Sequence, residues 1–83
     1  MESKATESKV MIREFLQILL TQKKDMRPFS DDTSLILGGR LDSIDTVDLV
    51  LFLETAFGLR FGNGGLHREQ LDSVNMIDGL VNA

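Results

Sequence analysis

The sequence predicts an all-α fold, a small four-helix bundle with three main helices and one short third helix, and three observations predict it. Apolar residues recur at helical spacing in three separate stretches. No segment alternates apolar and polar residues with period two for long enough to make a strand. The 83 residues contain no repeat, low-complexity tract or linker, and they suffice for one domain spanning 1–83 but not for two. A domain of this size buries a modest share of its surface, so without disulfides it must rest on a compact core.

The first helix is expected over about residues 6–24, where Val10, Met11, Ile12, Phe15, Leu16, Ile18, Leu19 and Leu20 fall with no Gly or Pro among them. From Met11 onward these residues cover one broad side, and Arg13, Glu14, Gln17, Thr21 and Lys24 take the other. Lys23 and Lys24 suit the negative end of the helix dipole, and Pro28 marks the exit. The connection over 25–42 carries Ser30-Asp31-Asp32-Thr33 and the pair Gly38-Gly39 around the apolar patch Leu35-Ile36-Leu37. A connection this long in a compact domain is functional or pinned, and Leu35 and Leu37 are the expected pins.

The second helix is expected over 43–57, with Asp42 or Ser43 as N-cap and with Asp45 and Asp48 in the opening turns, where the dipole stabilises carboxylates. Gly58 is its C-cap glycine. Gly62-Asn63-Gly64-Gly65 reads as a turn and residues 66–71 as a short helix. The last helix, over 73–81, is capped by Asp72 or Ser73 and carries Val74, Met76, Ile77, Leu80 and Val81 on one face.

Composition narrows the function classes. Thirteen acidic against nine basic residues give a net charge of -4, which opposes binding to phosphate backbones and favours partners with basic docking patches. Nucleic acid is therefore not an expected partner. Cysteine is absent, which removes a thiol nucleophile, a redox switch and Cys-based metal sites. The longest apolar run near the N-terminus, Ile18-Leu19-Leu20, is too short for a signal segment or a membrane span, so the chain reads as cytoplasmic and without membrane insertion, and it is expected to be a monomer.

The second helix carries two apolar stripes where a surface helix needs one. Leu49, Val50, Leu53 and Phe57 cluster on one side, and Ile44, Val47 and Leu51 on the other. Periodicity does not say which is buried, but charge does. Asp48 and Glu54 fall within the arc of Ile44, Val47 and Leu51, whereas only Thr46 interrupts the opposite one, and unpaired carboxylates are costly to bury. The Leu49 side is expected to face the core. Ile44, Val47 and Leu51 are then exposed and ringed by acids, the pattern of a docking surface with apolar contacts at its centre and charge at its rim. Ser43 stands at the edge of that stripe.

The run from Leu41 to Leu59, with Asp42-Ser43-Ile44, the acids Asp45, Asp48 and Glu54, the pair Leu49-Val50 and the ending Phe57-Gly58, resembles the acyl carrier protein family. The signature of that family is an Asp-Ser-Leu-like triplet followed by an acidic, amphipathic recognition helix, and the likeness extends loosely over nearly the whole chain. It implies that Ser43, flanked by Asp42, accepts 4'-phosphopantetheine from coenzyme A through a phosphopantetheinyl transferase. It also implies that Asp45, Asp48 and Glu54 dock onto Arg and Lys of partner enzymes, with Ile44, Val47 and Leu51 as the apolar contacts of that surface. The partners implied are acyl-transferring, ligase or synthase enzymes of fatty-acid, lipid or polyketide-type biosynthesis. The polypeptide itself would catalyse nothing, and the arm would supply the thiol that the sequence lacks.

Departures from the family pattern point to a specialised member. The loop before Asp42 is longer by two residues, and Arg40 lies beside the attachment site. Thr55 and Ala56 stand where general carriers often have further acids, and Arg60, His67 and Arg68 bring positive charge near the third helix. An aminoacyl or peptidyl carrier of a dedicated pathway fits the same Leu-Asp-Ser pattern, and an unmodified helical interaction module is the rival from another class. The remaining constellations are bland. Asp31-Asp32 does not have calcium-loop spacing and reads as a turn, and His67, the sole histidine, reads as a surface residue. Gly62 to Gly65 lacks the context of a phosphate loop, and no metal site or catalytic residue is expected.

Overall fold

Apolar spacing and helix caps set the element boundaries in the computed structural model, which describes residues 4–61 and 67–82. Three α-helices form, α1 (Lys4–Gln22), α2 (Ser43–Phe57) and α3 (Val74–Val81), and Arg68–Leu71 make a 3-10 helix. No strand occurs among the described residues, in keeping with the all-α class that the spacing predicts. The expected turn at Gly62 to Gly65 and the first residue of the expected short helix, Leu66, lie outside the described residues. No helix among those described is long and apolar enough to cross a membrane.

The end of α1 comes two residues before the expected one. Lys24 adopts a left-handed φ of 63°. Its N–H donates to the Thr21 carbonyl at 2.9 Å, and the Asp25 N–H donates to the Leu20 carbonyl at 2.8 Å. These paired bonds are those of a Schellman termination, whose left-handed position usually falls to glycine. With lysine there, the sequence carries no stop signal at that point. The other helix ends follow their caps. Gly58 closes α2 at φ 67°, and the Ser73 side chain opens α3 by accepting from the Met76 N–H.

The connection between α1 and α2 is ordered by polar bonds as much as by apolar pins. Leu35 and Ile36 are buried, whereas Leu37, expected as a pin, is 68% exposed. The reason is a tight turn in which the N–H groups of Arg40 and Leu41 both donate to the Leu35 carbonyl. The Asp72 carboxylate clasps the inner side of that turn by accepting from the N–H groups of Ile36 at 2.9 Å and Leu37 at 2.8 Å. Gly38 is required here, because a Cβ would stand 2.2 Å from the Ser34 carbonyl oxygen. Asp31, within the predicted turn, takes a bidentate ion pair from Arg13 of α1, and Asp32 accepts from Asn75 of α3.

Burial follows the expected faces. Ile12, Leu16, Leu19 and Leu20 of α1 pack with Leu35, Ile36 and Leu41 of the connection, Leu49 and Leu53 of α2, and Leu71, Val74 and Ile77 at the far end. Met11 and Ile18, assigned to the same broad side of α1, remain exposed at its margin. Phe15 of α1 stacks on Phe52 of α2 with ring centroids 4.2 Å apart. A polar tie also joins the two ends of the chain, where the Ser8 hydroxyl donates to Asp78 and Asn82 donates to both.

Two measurements check this arrangement. Leu53→Ala removes a fully buried side chain and should cost about 3 kcal/mol in urea unfolding, while Leu51→Ala, on the outer side of α2, should stay within about 0.5 kcal/mol. Equal costs would mean that α2 is rotated. The second concerns Asp72. Burial, the largest influence, pushes its carboxyl upward, but bonds from the Leu37 N–H, the Ser34 side chain and the Ile36 N–H outweigh it and hold the group below the ordinary carboxylate range. A depressed carboxyl contributes stability that is present above about pH 4 and is lost as pH falls through the lowered value. Asp72→Asn should therefore cost about 2 kcal/mol at neutral pH and flatten the acid limb of a stability-against-pH curve.

Candidate functional site

The start of α2 is built by a reciprocal cap. Asp42 is the N-cap, and its Oδ1 accepts from the Asp45 N–H at 2.9 Å while Asp45 Oδ2 accepts from the Asp42 N–H at 3.0 Å. The Thr46 N–H and hydroxyl both donate to the Asp42 carbonyl, which fastens the first turn further. From the end of α1, Lys23 Nζ reaches both carboxylates, 3.1 Å from Asp42 Oδ2 and 2.8 Å from Asp45 Oδ2. The Asp42 carboxyl lies below its ordinary range because of the Asp45 N–H bond first and Lys23 second, and Lys23 is raised by Asp45 and then by Asp42.

Ser43 is the first residue of α2 and is exposed. Among the described residues no side chain hydrogen-bonds its hydroxyl. The N–H groups of Ser43 and Ile44 have no preceding helical turn to accept them. A phosphodiester on Ser43 fits this setting chemically. The hydroxyl stands in solvent at the first residue of α2, where the free N–H groups and the positive end of the helix dipole favour an anion.

The three apolar positions expected beside Ser43 face outward, with Ile44 73%, Val47 58% and Leu51 56% exposed. Leu49 and Leu53 are fully buried, and Val50 and Phe57 are partly so. The outer stripe does not end at the edge of α2. A groove of about 410 Å³ between α1 and α2 joins Leu51 and Asp48 to Ile18, Phe15 and Phe52. A second groove, of about 390 Å³, is lined by Met11, Ala56, Phe57 and Val81. It lies at the opposite end of α2 from Ser43, about 20 Å away along the helix.

The acids divide in a way that the sequence reading did not anticipate. Asp48 is exposed and belongs to no ion pair among the described residues. Glu54 is half-buried, and its Oε2 accepts weakly from the Phe61 N–H at 3.4 Å. Asp45, expected as a partner-docking acid, is corrected to an internal role, because it is only 8% exposed and its carboxylate is held by the cap and by Lys23. The spacing Asp42-x-x-Asp45 is that of a capping box with Asp in place of Glu, and that was the available signal.

Arg40 also departs from expectation. Its guanidinium turns away into the connection, bonding the Asp25 carboxylate and the carbonyls of Arg27 and Pro28. Arg27, first, and Arg40 together push the Asp25 carboxyl far below its ordinary range. His67 and Arg60 are exposed, and Asp31 and Asp32 lie in a turn. Among the described residues no group of three or more His, Cys, Asp or Glu is placed to hold a metal ion.

Compared with protein-family models, with curated proteins and with solved structures, the chain gives no match.

Proposed function

We propose that this chain is a carrier protein of the acyl carrier type, in which Ser43 receives 4'-phosphopantetheine from coenzyme A and the arm carries acyl intermediates as thioesters. The observation that supports this most is the disposition of α2. Its first residue is a solvent-facing serine, and the side that continues from it shows Ile44, Val47 and Leu51 with Asp48, while the opposite side builds the core. A hydroxyl that no side chain among the described residues hydrogen-bonds suits a residue modified by a separate transferase rather than one that attacks a substrate unaided. In this reading the chain is not an enzyme. The three α-helices and the 3-10 helix serve as the four-element bundle of a carrier that works as a monomer in the cytoplasm.

A tethered arm raises the effective concentration of its cargo at each enzyme it visits, so the protein's own part is to present and to dock. Acyl-transferring, ligase or synthase enzymes would meet the apolar stripe, with Asp48 and Glu54 supplying the charge left for basic patches. The internal pairing of Asp42 and Asp45 leaves that face less acidic than the family pattern, which favours a dedicated pathway and keeps an aminoacyl or peptidyl cargo as the alternative.

Intact-mass measurement after incubation with coenzyme A and a phosphopantetheinyl transferase tests the assignment. One phosphopantetheine mass should appear on the wild-type chain and none on Ser43→Ala. A chain that gains no mass is an unmodified interaction module, and a gain that survives the substitution places the attachment elsewhere.

A further inference from the structure

Lys23 stands in contact with both carboxylates that bracket Ser43, at 3.1 Å from Asp42 and 2.8 Å from Asp45, and it comes from another element of the fold. It follows directly on α1, whereas the carboxylates open α2, so the ammonium ties the two helices together at the position where the hydroxyl emerges. Its place is fixed from behind. The Lys23 N–H donates to the carbonyls of Leu19 and Leu20, and Lys24 and Asp25 close the Schellman termination immediately after it. The Asp45 side is fixed as well, since that residue is nearly buried and its Oδ2 also accepts the Asp42 N–H.

Without the ammonium the two carboxylates would repel each other across the cap. The rotamer of Asp42 that holds the Asp45 N–H would then compete with one turned to water, and the first turn of α2 would fray with it. A frayed first turn moves Ser43, because Ser43 is the first residue of that turn. From this juxtaposition we propose that Lys23 is a positioning residue for the modification of Ser43, holding Asp42 and Asp45 so that the hydroxyl is presented in one orientation to the enzyme that modifies it. The inference rests on the carrier reading above. It adds a role for a residue outside the Asp-Ser segment, and it gives a reason why two of the acids at that segment share one internal ammonium.

The test uses the full chain, coenzyme A and a phosphopantetheinyl transferase, with steady-state kinetics of loading and amide hydrogen exchange read on the same samples. Lys23→Met should lower kcat for loading about fivefold, the scale of a partly exposed ion pair, with KM for the carrier changed less than about twofold. Lys23→Arg should restore kcat, since a guanidinium can bridge the same two carboxylates. Exchange at the Asp45 and Thr46 amides should rise in the Met variant and return in the Arg variant. Should the Met variant not fold, Asp45→Asn, which keeps the shape and removes one of the paired charges, is expected to slow loading in the same direction.

Wild-type kcat and wild-type amide exchange in Lys23→Met would overturn the inference, as would unchanged loading in Asp45→Asn. Equal losses in the Met and Arg variants would also overturn it, because the effect would then not follow the charge. These results differ from failure of the carrier reading itself, in which the wild-type chain gains no mass and both proposals fall.

Discussion

Burial of Leu49 and Leu53 fixes the rotation of α2 about its axis, and the surroundings of Ser43 follow from that rotation. The helix has apolar residues on two sides, so hydrophobicity alone would allow either to be the core side. Two fully buried leucines, each contributing about 2 kcal/mol through burial, outweigh what the competing stripe can gain, because that stripe would take Asp48 inward with it. Phe52, stacked on Phe15, and the half-buried Phe57 lock the choice from the flank. Once α2 is set, Ile44, Val47 and Leu51 can only point outward, and the serine at the head of the helix is left in solvent.

A domain this small has little core to hold a long connection, and it uses charge and backbone bonds for that work. The segment between α1 and α2 is fastened by carboxylates at several places, Asp32 to Asn75 of α3 among them. Asp31 is held by Arg13, Asp25 by Arg27 and Arg40, and the turn at Leu35 to Arg40 by the Asp72 carboxylate that reaches across from the other end of the chain. Each fastening uses a carboxylate that the sequence shows only as one more acid in an acidic protein. Partner-facing charge is therefore much less than the composition suggests, and several acids of the connection act as internal struts.

The sequence carried the all-α class, the limits of α2 to the residue and the choice of its inner face, because those depend on spacing and on the cost of burying a carboxylate. It carried less where geometry depends on residues far apart in the chain. Leu37 passed for a pin because it is apolar, but the turn closed on the Leu35 carbonyl and clasped by Asp72 sets Ile36 in and Leu37 out. Arg40 passed for a neighbour of Ser43 because it is three residues away, but its guanidinium turns to the Asp25 carboxylate and the carbonyls of Arg27 and Pro28. Asp45 was given a docking role by the family resemblance, yet a capping box draws an N3 carboxylate back toward the cap. For Leu37 and Arg40 a bond to a residue elsewhere in the chain overruled the local pattern, whereas for Asp45 the local capping-box spacing was itself the signal.

The same bonds shape what a partner would meet. Of the acids around the outer stripe, Asp42 and Asp45 share one ammonium, Glu54 is half-buried, and only Asp48 stands exposed and unpaired among the described residues. The apolar area, by contrast, is larger than one helix supplies, since the groove beside Leu51 continues it to Ile18 on α1. A second copy of the chain would be a poor occupant for that surface, because a symmetric contact would set Asp48 near its own counterpart on a chain already carrying -4. Recognition by a surface with few free charges rests on apolar burial and shape, whereas charge mainly sets the rate of encounter. Salt should then change the association rate of a partner more modestly than it would for a face on which all four acids were free.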